Sequence, residues 1–218
     1  MKTLFLGIAL IVLIGIGGLV YRNAVEHPSE PIACPMDAKL CPDGTAVGRT
    51  GLSCTFPACP SPNVSLADVG IAFAIPPGFV AAEFLDDASV ANYESNSASS
   101  GASSTQSGDI SIRRYAIAAS STALATIQAT AIGGASGAPV PVTAFSSSVI
   151  GTHRFTVVTL ERFEGVVDTA YYLARASDVL RFDAIDRGVT GWTSPSLDIS
   201  QLPARTALVK LLGGLEGE

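Results

Sequence analysis

Histidine and charge are both scarce in this 218-residue chain, and each shortage excludes something. Two histidines, His27 and His153, lie far apart in sequence and leave little material for a histidine-based metal site or general base. Lys and Arg number 13 against 19 Asp and Glu, a net charge of −6, with no lysine cluster. That balance argues against a nucleic-acid partner. No G-x-x-x-x-G-K-[ST] phosphate loop, H-E-x-x-H metal helix or calcium loop is present. "GGASGA" (Gly133–Ala138) lacks the G-x-S-x-G spacing of a nucleophile elbow and follows a helical pattern, not a strand. No catalytic residue, cofactor or metal is expected.

What the chain does have is an uncharged apolar run from Thr3 to Val20, preceded by Lys2 and followed by Tyr21 and Arg22. Eighteen helical residues reach about 27 Å, close to a hydrocarbon core. The run is long for a cleaved signal peptide, and "YRNAVEHPSE" offers no small-x-small cleavage site. Residues 1–22 therefore read as an uncleaved signal anchor, with a cleaved signal as the alternative. Lys2 and the amino terminus favour a cytoplasmic start, against Arg22. The rest of the chain is then extracytoplasmic, joined to the membrane by this one helix.

All four cysteines fall in "CPMDAKLCPDGTAVGRTGLSCTFPAC", spaced C-x6-C-x12-C-x4-C. Zinc sites use paired short knuckles, which this spacing lacks, and thiols outside the cytoplasm oxidise. Cys34, Cys41, Cys54 and Cys59 are thus expected in two disulfides, with all three connectivities open. So small a motif has too few apolar residues to fold on a core alone. Cys41-Pro42-Asp43-Gly44 suits a type I turn. Arg49 is expected to tie loops through Asp37 or Asp43, or else to contact a ligand. The CPDG-x3-GR-x-G-x2-C-x4-CP pattern resembles a short motif of uncharacterised bacterial envelope proteins, to which no activity is assigned.

The remaining chain divides into a stalk (23–33), the cysteine motif (34–60), a Pro/Ser linker (61–66) and one domain (67–218). In the domain, Ile71, Phe73 and Ile75 alternate as a half-buried strand ended by Pro76-Pro77-Gly78, and Phe79 begins another. Asp86–Gly108 is Ser/Ala/Gly-rich without apolar periodicity and reads as a flexible loop. "DISIRRYAIA" alternates again. "SSTALATIQATAIGG" has helical spacing at Leu124, Ile127 and Ile132, with Ser120 or Ser121 as cap. Four strands follow in Val140–Ile150, His153–Gly165, Val167–Ser177 and Asp178–Gly188, joined by turns short enough to make an antiparallel meander. A helix with Pro203 in its first turn and Leu208, Leu211 and Leu212 facing the core closes the chain. The class is α+β, an antiparallel sheet with helices packed on its faces.

"GIAFAIPPGF" resembles the opening of PsbP-like domains, and the element order is similar over about 150 residues. That resemblance implies a sheet sandwiched by helices, one of them C-terminal, and a non-enzymatic binding or assembly role, without a photosystem function.

On the meander, Arg162, Arg175, Arg181 and Arg187 interleave with Glu161, Glu164, Asp168, Asp178, Asp183 and Asp186. Cross-strand charge pairs on a solvated face explain such a pattern. A ligand face would instead use Arg162, Tyr171, Arg175, Arg181, Asp183 and Trp192. The expected function is a membrane-anchored, extracytoplasmic binding or assembly module for an envelope protein or small ligand. The alternatives are a hydrolase-type envelope enzyme using the meander's carboxylates, and a structural spacer or adhesin.

Overall fold

The computed structural model describes residues 12, 15–19, 21–22, 33–41, 45–59, 61–95, 106–133 and 137–217. Val12, Gly15–Leu19, Tyr21 and Arg22 are helical. Most of the expected Thr3–Val20 anchor and of the stalk lies outside the described residues, as do Pro42–Gly44 of the expected turn. Among the described residues, no helix is long and apolar enough to cross a membrane. The chain forms two compact units, residues 1–37 with 48–57 and residues 38–47 with 58–218.

In the first unit, Cys34 is joined to Cys54, with Cα atoms 5.3 Å apart. The Arg49 guanidinium binds Asp37 through two hydrogen bonds, 2.7 and 2.9 Å, and donates to the Cys54 carbonyl at 3.0 Å. It also stands 4.3 Å from the centre of the Phe56 ring. One planar cation thus fastens three points of a segment with almost no core, and its hydrogen bonds hold the Asp37 carboxyl below its usual range. Thr50 and Thr55 bridge the intervening turn.

In the second unit, Cys41 is joined to Cys59. Strands β1 (Ala38–Leu40) and β2 (Ala46–Gly48) pair with each other alone. A three-stranded sheet joins β3 (Val64–Leu66), β4 (Ile71–Phe73) and β12 (Glu216–Gly217) in the order β12-β4-β3. The main sheet is antiparallel and seven-stranded. It consists of β5 (Phe79–Ala81), β6 (Ser89–Ser95), β7 (Ser107–Ala116), β8 (Ser146–Ile150), β9 (His153–Phe163), β10 (Val166–Ala174) and β11 (Asp178–Arg187). Their spatial order is β5-β6-β7-β11-β10-β9-β8.

The expected meander is present as β8 to β11, because its hairpin turns are tight. Glu164 (φ 49°) and Gly165 (φ 77°) turn β9 into β10, the two positive φ angles of a type I′ hairpin. Gly151 and Thr152 turn β8 into β9, with positive φ at Gly151 alone (59°), as a type II′ hairpin requires.

Pleating sends alternate residues to opposite faces. The front face carries Tyr93, Ile110, Ile112, Phe155, Val157, Tyr171, Leu180 and Phe182, against which α2 (Pro203–Gly213) buries Leu208, Leu211 and Leu212. On the back face, Val158, Leu160, Ala170, Tyr172 and Val179 receive Ile127 and Ala131 from α1 (Ala123–Thr130) and the residue after it. Helix α2 begins with Pro203 and has no side-chain cap of its own. Asp186 of β11 supplies one, accepting from the Ala204 N–H at 2.8 Å and the Arg205 N–H at 3.3 Å.

Several sequence expectations need correction. Within the expected loop Asp86–Gly108, Ser89–Ser95 forms β6 with Ala91, Asn92 and Tyr93 buried, Ser107 already belongs to β7, and residues 96–105 lie outside the described residues. The linker 61–66 contains β3. Helix α1 is capped by Thr122, whose hydroxyl accepts from the Ala125 N–H, and not by Ser120 or Ser121. Leu124 and Ile132 are exposed, not core. Val142–Ala144 is a 3-10 turn ahead of β8.

Candidate ligand groove

The expected ligand face does not exist as one surface. Tyr171 points to the front of the sheet, while its neighbour Tyr172 shares the back with Arg181 and Asp183. Arg162 and Trp192 do meet, but the Arg162 guanidinium is taken up by the backbone carbonyls of Trp192 and Ser194, and Trp192 packs edge-on against Phe163. Arg175 binds Asp178 at 2.6 and 2.7 Å and also donates to the Val69 carbonyl. The second cation on Asp178 is Arg114, at 2.6 Å. These partners hold the Asp178 carboxyl below its usual range.

The back-face charges form a buried network that sequence reading placed on a solvated surface. Asp183 is fully buried between Arg113 and Arg181, accepting from Arg113 Nη1 and, at 2.5 Å, from Arg181 Nε. Arg113 also reaches Asp86 at 2.8 Å, and Arg181 donates to the Thr130 carbonyl at the end of α1. Arg181 Nη2 lies 3.8 Å from Asp168. Burial first, and the Asp183 charge second, push the Asp168 carboxyl well above its usual range. Two guanidiniums thus face the carboxylates of Asp86 and Asp183, with the Asp168 carboxyl beside them. Burial pushes the Tyr172 phenol up to about 12. This cluster, with Asp183 sealed from solvent, holds the sheet to α1 through Arg181, while the buried Asp168 Oδ1 and Tyr172 hydroxyl have no hydrogen-bond partner among the described residues.

The front face offers open space. A groove of about 630 Å³ lies between β8 and α2, within the range of small-ligand sites. Its strand wall is Ser148–Gly151, and its helix wall includes Arg205, Thr206, Val209 and Lys210. Tyr171 forms part of the floor, and its hydroxyl accepts from Arg205 Nε at 2.9 Å. Ser200 and Gln201 stand at one end, and Gly151 meets Gly213 at the other. Among the described residues, neither Arg205 nor Lys210 forms an ion pair. Asp186 and Asp198 feel the Arg205 charge without pairing directly with its guanidinium, and their oxygens accept from backbone N–H groups. The groove lining has two cations, hydroxyls and an amide, with no Asp, Glu, His or Cys. Such a lining can hold a negative charge, and it contains no acid–base pair. A second hollow of about 490 Å³, between Arg114, His153 and the Leu173–Asp178 turn, is occupied at its polar edge by the Asp178 ion pairs.

Of the expected residues, only Tyr171 belongs to the β8–α2 groove. Arg205 and Lys210 were missed, although the terminal helix carries two cations and no acid, a legible signal.

The fold defines a mixed protein, an antiparallel sheet with helices and two disulfides. No protein-family model matches the chain, and no curated protein does. A solved crystal structure from Bacteroides thetaiotaomicron VPI-5482 is similar at a TM-score of 0.39 and 10% identity, covering 68% of this chain. The chain spans 45% of that protein's length.

Proposed function

We propose that this chain is a non-catalytic binding or assembly module of the cell envelope, holding an anionic ligand in the β8–α2 groove. The observation that carries this reading is the pair Arg205 and Lys210, both unpaired by carboxylates and both lining one groove with hydroxyls around them. An acid–base enzyme needs a titratable group facing its substrate, and Asp168 and Asp183 lie on the opposite face of the sheet in the buried network, while Asp178 and Asp186 are held by arginines and by the α2 backbone. The two disulfides support an oxidising, extracytoplasmic compartment. The apolar run Thr3–Val20 supports anchoring by a single helix, and "GIAFAIPPGF" together with a C-terminal helix on the sheet supports a PsbP-like placement.

The test is an NMR titration of the full chain in detergent micelles with succinate and with phosphate. The amides of Ser148–Gly151, Arg205 and Lys210 should shift saturably, and Arg205→Ala with Lys210→Ala should remove the shifts. Absence of any shift in the unsubstituted chain would overturn the groove as an anion site. Turnover of an ester or peptide substrate that is lost in Asp168→Asn would favour the enzyme.

A further inference from the structure

The two edges of the main sheet are built differently. At one edge, β5 has three residues and follows Pro76-Pro77-Gly78, which blunts it against further pairing. At the other edge, β8 reads Ser-Ser-Ser-Val-Ile, with no charge, no proline and no bulge in its register with β9. Protein sheets usually protect such an edge, so an unprotected one next to a groove is a place where another strand can add.

The hairpin register says which backbone groups are available. Ile150 pairs with His153 across the two-residue turn and closes the ladder. Alternation along an antiparallel pair then directs the N–H and C=O groups of Ile150, Ser148 and Ser146 toward β9. Those of Ser147 and Val149 point outward. Among the described residues, no other backbone group bonds to them. Val149 is 61% exposed.

From this edge we infer that the groove's occupant is an extended acidic peptide segment of a partner protein, added to β8 as an eighth strand. Its front-facing carboxylates meet Arg205 and Lys210 in the adjoining groove. The inference rests on the proposed anion-binding reading and adds the partner's class and docking mode. Peptide addition between an edge strand and a helix draws affinity from main-chain hydrogen bonds, and side chains in the groove give specificity. Charge selects the partner: the two charged residues of the lining, Arg205 and Lys210, are both cations, and the net charge of −6 is felt only weakly beyond a Debye length of about 8 Å. A second copy of this chain fits less well, because paired β8 edges would supply no carboxylate to either groove.

The experiment is fluorescence anisotropy of the full chain with labelled hexapeptides. One alternates valine and glutamate, one alternates valine and lysine, and one is the glutamate peptide N-methylated at every second amide. The glutamate peptide should bind, and the lysine peptide should bind at least about tenfold more weakly. The N-methylated peptide should lose binding, since it cannot complete the ladder. Val149→Pro removes an outward N–H at an exposed position and should cost a similar factor while the melting temperature holds. Equal binding of the methylated and unmethylated glutamate peptides would overturn strand addition while leaving the anion site intact. Failure of every peptide, with succinate still shifting the groove amides, would also overturn it. Failure of succinate as well would sink both readings.

Discussion

Gly151 is pressed against Gly213: a Cβ built on Gly151 would lie 2.8 Å from the Gly213 carbonyl oxygen. This contact between the β8–β9 turn and the end of α2 seals one end of the groove. Gly151 also has φ at 59°, where a side chain is strained. Gly151→Ala should therefore destabilise the protein by about 1–3 kcal/mol, read from denaturant unfolding. A neutral or stabilising effect would mean that the turn and helix end are not in contact.

Removing Asp183 should be among the costliest single changes. Asp183→Ala leaves Arg113 and Arg181 facing each other without their common anion, a loss of about 3–5 kcal/mol for a broken buried pair. Chemical denaturation with circular dichroism would report it. A loss below about 1 kcal/mol would place these arginines in solvent.

Asp168 should behave in the opposite sense. A carboxyl raised by burial gives its full stability below the ordinary aspartate value of 3.8, and loses it as pH rises through the folded value. Asp168→Asn should unfold at higher denaturant than the unsubstituted protein at pH 8, and the gap should shrink toward pH 4. A variant weaker at pH 8 would instead identify Asp168 as an ionised partner of Arg181.

Peptide mapping without reduction should recover Cys34 linked to Cys54 and Cys41 linked to Cys59, with the oxidised chain about 4 Da lighter than the reduced one. Each bridge contributes on the order of 2–4 kcal/mol to its segment. Either of the other two pairings, or four free thiols holding zinc, would refute the arrangement.

The meander was legible because its turns are local: Glu164-Gly165 and Gly151 announce hairpins within a few residues. Strand β6 was not, because Ser89 and Asn92 are polar residues at buried positions and blur the alternation that Ala91 and Tyr93 carry. Tyr93 is held edge-on by Phe73 at 6.0 Å, a contact across twenty residues that no window of periodicity reveals. The pairing of β7 with β11, which joins Arg113 to Arg181 and Asp183, spans a far longer blind distance, 70 residues from Arg113 to Asp183. The charged meander residues therefore looked like a solvated face. The groove escaped for another reason: Arg205 and Lys210 gain meaning only when α2 is laid beside β8.

The small sheet has a mechanical consequence. Ile71 of β4 pairs with Leu66 on one side and with Gly217 on the other. Because both neighbours run antiparallel to β4, β3 and β12 run parallel to each other. Tension between Val64 and Gly217 would draw these strands past β4 lengthwise, loading their hydrogen bonds together in shear instead of peeling them one at a time. A pull on the chain would meet this three-stranded clamp before it reached the seven-stranded sheet.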